Sequence, residues 1–100
     1  MRYLGGISGN GMLKCKGVEV ADVSYDFEGY SRKMGDITAS GEIKLESVAL
    51  QALFGRSDVQ LLTEDGRLLD LRFSDKDLRE PGVAHVDVSG DLPTAKNWRR

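Results

Sequence analysis

From Ala21 to Glu28 the chain alternates apolar and polar residues without a break. Ala21, Val23, Tyr25 and Phe27 fall on one side, and Asp22, Ser24, Asp26 and Glu28 on the other. Successive side chains of a strand point to opposite faces, so the run predicts a strand with one face in a core and one in water. That pattern belongs to antiparallel sheets, because parallel strands are covered on both faces and read as continuous apolar runs. Val18 and Val20 have the opposite parity, which predicts a bulge or register change near Val20–Ala21.

The same period recurs along the chain. Leu13 and Cys15 share one side, and Ile37, Ala39, Gly41, Ile43 and Leu45 form a further run with a bend expected at Gly41. Leu69, Leu71 and Phe73 face the core, as do Ala84, Val86 and Val88, with His85 and Asp87 outside. Turn chemistry separates these runs. Gly5 to Gly11 holds four glycines and Asn10 and reads as a turn or hairpin tip, and Gly17 marks a second turn. Gly29 to Gly35 and Ser74 to Gly82 read as loops, and Asp65-Gly66 suits a type I′ hairpin turn. The one helical signal runs from Ser47, a candidate N-cap, to a stop at Gly55, with Leu50, Leu53 and Phe54 on one face. A helix this short must lean on the sheet.

The expected fold is therefore all-β with one short helix, as a small antiparallel barrel or sandwich of six to seven strands. A barrel is favoured, because closure removes sheet edges. At 100 residues the chain suits one domain. The pattern ends at Pro93, so residues 1–93 are expected to form it and residues 94–100 a flexible, basic C-terminal tail.

The charge is uneven. Residues 1–93 carry 11 Lys and Arg against 16 Asp and Glu, while the last seven residues carry Lys96, Arg99 and Arg100 and no acid. An acidic body argues against broad nucleic-acid binding, which phosphate neutralisation drives. A lone cysteine, Cys15, allows no intrachain disulfide and is expected to pack inward as a small hydrophobe. No apolar run follows the basic start, and none is long enough to span a membrane, so the expectation is a cytoplasmic protein without a membrane partner.

Chemistry-bearing residues are sparse. The acidic side of Asp22, Asp26 and Glu28 reads first as a solvated face. His85 beside Asp87 offers a His–carboxylate pair that could orient an imidazole, but no nucleophile accompanies it in sequence. One histidine and one cysteine make no zinc set, and neither metal nor cofactor is expected. Phosphate-cradling glycines lead into a helix N-terminus, whereas Gly5 to Gly11 lead into a strand. Asp36-Ile37-Thr38-Ala39-Ser40-Gly41 resembles the Asp-x-Ser-x-x-Gly motif of PilZ domains, which bind cyclic di-GMP on a small β-barrel. Thr38 stands in place of the serine, and the upstream Arg-x-x-x-Arg of that family is missing.

Three functional expectations follow. The first is a small non-enzymatic binding or assembly module, of an intracellular and bacterial type, with a protein partner or a second copy of itself. The second is a nucleotide or nucleic-acid binding barrel using the basic tail. The third is a minor hydrolase-type enzyme around His85 and Asp87. The candidate binding residues are Arg32, Lys33, His85, Asp87, Lys96, Trp98 and Arg99.

Overall fold

A computed structural model describes residues 2–32, 36–78, 80–93 and 98. Its strands are β1 (Arg2–Cys15), β2 (Val18–Ser31), β3 (Ile37–Lys44), β4 (Val59–Thr63), β5 (Leu68–Phe73) and β6 (Val83–Gly90). One short helix, α1 (Ser47–Leu53), lies between β3 and β4. Every pairing is antiparallel, and the strands close into a barrel in the order β1-β2-β3-β6-β5-β4. The choice between barrel and sandwich is thus settled by the pairing of β1 with β4.

The core is built from the inward side of each alternating run. Leu13, Phe27, Ile43, Leu61, Leu69 and Val86 are fully buried. β3 and β4 stand on opposite sides of the ring, so α1 carries the chain across one barrel end and buries Leu50 and Leu53 there. Phe54, just after the helix, packs its ring on Phe73 at 5.1 Å between centroids. The expected bulge is present: Leu13 pairs with Ala21 but Lys14 pairs with Glu19, leaving Val20 as the extra residue.

Several local expectations are corrected. Gly5 to Gly11 is no turn; it lies inside the 14-residue β1. Its glycines serve close approach: a Cβ on Gly11 would sit 2.5 Å from the carbonyl oxygen of Leu62, where β1 begins to pair with β4. The loop expected from Gly29 starts later, because Gly29, Tyr30 and Ser31 continue β2. Ser47 is the first helical residue and not the cap. Glu46 holds the N-cap position without a side-chain hydrogen bond, while Gly55 takes the expected positive φ past the C-cap. Asp65-Gly66 does not form a type I′ turn, since Gly66 has positive φ but Asp65 does not. Residues 64–67 form a wider loop, whose ends are tied by the Thr63 N–H on the Arg67 carbonyl. The tight turn of mirror-image type falls at Lys16-Gly17, with φ of 52° and 80°.

The two 14-residue strands are longer than their other neighbours. β4 pairs with β1 only from Gly11 to Cys15, and β3 pairs with β2 only from Ser24 to Ser31. Tilted strands in a closed barrel are staggered, so each long strand overhangs its outer neighbour. The overhang of β1 shapes the site described next.

Candidate functional site

Between Gly5 and Asn10, β1 has a sheet partner on the β2 side alone. The main-chain N–H of Asn10 points the other way and donates to the Glu64 carboxylate at 2.9 Å. Backbone groups of a strand alternate direction residue by residue, so Ser8 and Gly6 present their N–H and C=O groups to that same open side. No strand pairs with them there among the described residues.

A cleft of about 670 Å³ wraps this open edge. Its inner lip is Ile7 and Tyr25; its outer side runs over Gly6 and Ser8 to Asp26 and Glu28 on β2. The loop after β4 and Pro93 form the opposite wall. Next to the cleft, a Cβ on Gly9 would lie 3.2 Å from the Tyr25 hydroxyl and 3.4 Å from Glu64 Oε1.

The loop is held rigid by its own polar groups. The Thr63 hydroxyl donates to the Asp65 carboxylate and accepts the Arg67 N–H at 3.0 Å. Arg67 bridges two carboxylates, with Nε 3.2 Å from Asp65 and Nη1 3.7 Å from Asp91. The Thr63 hydroxyl first, then the Arg67 guanidinium, hold the Asp65 carboxyl below the usual range. Tyr25 is shifted the other way. Burial, then the charges of Asp65 and Glu64, hold its phenol above the ordinary value of 10.0.

A raised phenol keeps its proton in the folded chain where the unfolded chain has lost it. Its contribution to stability is full below about pH 10 and is lost as pH rises through the folded value. Alkaline unfolding should therefore steepen above that pH, and the Tyr25→Phe variant should flatten the slope. Denaturant titrations at stepped pH, with the tyrosinate absorbance read alongside, measure both.

Those of the residues expected from sequence that the structure describes do not line this cleft. His85 does not pair with Asp87. Its Nδ1 and its main-chain N–H each lie 3.1 Å from Asp75 Oδ2. Residues two apart on a strand repeat at about 7 Å. The loop after β5 instead folds back along β6, with the Ser74 N–H on the His85 carbonyl at 3.0 Å. Asp87 lies on the outer face opposite Arg72 and Ser40. Arg32 is exposed past the end of β2, its N–H on the Asp36 carbonyl at 2.7 Å. Lys33, Lys96 and Arg99 fall outside the described residues, as does most of the tail. Trp98 is buried: its indole N–H donates to the Pro93 carbonyl at 3.1 Å, and its ring covers Gly29. Cys15 is half-buried against the core.

Among the described residues no three His, Cys, Asp or Glu side chains gather as a metal site, and no helix is long and apolar enough to cross a membrane. The PilZ-like stretch lies at the start of β3, where Gly41 meets the backbone of β2. Most cleft residues gave no signal in the sequence: Tyr25 matched a core position and Glu64 to Arg67 a turn, while the acidic side with Asp26 and Glu28 stood out but read first as a solvated face. Only the register that sets Gly6 beside Glu28 and Gly9 beside Tyr25 joins them.

The chain matches no protein-family model, no curated protein and no solved structure.

Proposed function

We propose that this chain is a non-enzymatic binding module that takes an extended polypeptide segment as an added strand along the open half of β1. The observation that carries this reading is the main chain of Gly6 and Ser8, which on the side away from β2 meets no strand among the described residues and borders a cleft. A strand edge with free N–H and C=O groups is a template for another strand, and an extended peptide satisfies both sides at once. Protein edges are usually blunted; here Glu64 caps the Asn10 N–H and marks where the open stretch ends.

The site's chemistry supports binding over catalysis. The chain's single histidine is on the outer face with Asp75, away from the cleft. The cleft's carboxylates would repel phosphates, which tells against nucleic acid as its ligand.

Selection of short peptides from a random display library against the full chain tests the reading. Selected peptides should slow hydrogen exchange at the Gly6 and Ser8 amides. Methylating alternate backbone nitrogens of the peptide should weaken binding by about tenfold for each main-chain hydrogen bond removed. If no selected peptide protects those two amides, the strand-addition reading fails.

A further inference from the structure

We infer that the segment accepted by β1 carries cationic side chains at alternate positions, a Lys/Arg-x-Lys/Arg strand; this rests on the strand-addition reading above. Gly6 lies opposite Glu28 and Ser8 opposite Asp26, and all four line the cleft. Gly6 has no side chain and Ser8 a short one, so the outer surface of β1 is a low floor between an added strand and the two carboxylates.

The distances suit long cations. Neighbouring strands lie about 4.8 Å apart, which puts an added strand about 10 Å from β2. A Lys or Arg stem lying across apolar or bare backbone, with its charged head at the far end, shares that span with the reaching carboxylate. Asp26 and Glu28 are two residues apart on one strand and so share a face at a spacing of about 7 Å. Alternate residues of an added strand have the same spacing.

The electrostatics favour the same occupant. Asp26 stands directly opposite Glu42 on β3, a like-charge pair that opposes sheet pairing until a cation arrives. Asp26, Glu28 and Glu42 have no ion pair among the described residues. Arg67, the cation among the described residues of the cleft wall, is already engaged by Asp65 and Asp91.

Three synthetic peptides test this, identical except at two alternate positions that hold Lys, Ser or Glu. Binding to the full chain is read by fluorescence anisotropy and by hydrogen exchange at Gly6 and Ser8. The Lys peptide should bind at least about tenfold more tightly than the Ser peptide, and the Glu peptide most weakly. In a chain with Asp26→Asn and Glu28→Gln, the Lys-to-Ser gap should shrink to about twofold, as it should in high salt. If the Ser peptide protects both amides and binds as tightly as the Lys peptide, the cationic pattern is overturned and strand addition stands. A gap that persists in the double variant also overturns it, because the cations would then be held elsewhere. If none of the three peptides protects Gly6 or Ser8, the strand-addition reading falls with it.

Discussion

Replacing Trp98 with alanine is expected to lower the stability of the fold by about 3–5 kcal/mol. The indole is only 7% exposed, and it covers Gly29 so closely that a Cβ there would lie 2.7 Å from three ring carbons. Gly29 leaves the recess that the ring fills. Deleting the ring removes its transfer free energy and leaves a void that the strands, bonded on both sides of Gly29, have little freedom to close. It also leaves the buried Pro93 carbonyl without its indole donor. Urea unfolding of the full chain measures the loss, with Trp98→Phe as the companion variant. Phenylalanine keeps most of the bulk but not the N–H, so it should cost less than alanine. An alanine variant within about 0.5 kcal/mol of the parent would show that Trp98 contributes no packing and would remove it from the core.

Substituting Gly41 with alanine should cost about 3 kcal/mol or more, beyond the usual range for one added methyl in a core. The new Cβ would sit 2.1 Å from the carbonyl oxygen of Asp26 and 2.8 Å from the Cα of Phe27. Both are backbone atoms of the paired strand, so no rotamer change relieves the clash. β2 and β3 would have to part where Phe27 faces Gly41, next to the fully buried Phe27 ring. Thermal unfolding followed by circular dichroism should show a large fall in midpoint or the loss of a cooperative transition. A parental midpoint would mean that the two strands separate there at little cost. Close approach of backbone to backbone thus accounts for the glycine that ends the PilZ-like stretch, without a ligand.

Local pattern carried most of the fold. Strict alternation in Ala21–Glu28, and the parity break before it, located both β2 and its bulge at Val20. Alternation depends on nearest neighbours along the chain, and a strand either obeys it or exposes its core face. Gly55 marked the end of α1 for an equally local reason, because a positive φ is needed there. The glycine-rich stretch from Gly5 to Gly11 misled for the opposite reason. Glycine reports only that a Cβ is absent, and a turn and a crowded strand crossing both call for that. The same holds for Asp65-Gly66, where the Thr63 hydroxyl and Arg67 hold a wider loop than the dipeptide suggests.

The candidate site was the least legible part. Its residues come from β1, β2, the loop after β4 and the segment after β6, and each has an ordinary local role. The sequence by itself determined an all-β domain of antiparallel strands, the inward set of most of them, and one short helix. Those follow from the period of the apolar residues, which is a property of neighbours in the chain. Tertiary structure alone decided that the sheet closes, that Trp98 returns to cover Gly29, and that β4 stops at Gly11, leaving Gly5 to Asn10 of β1 with β2 as the one paired strand among the described residues. Closure and stagger depend on which distant strands pair and in what register. That is set by the packing of the whole barrel, and no local period encodes it.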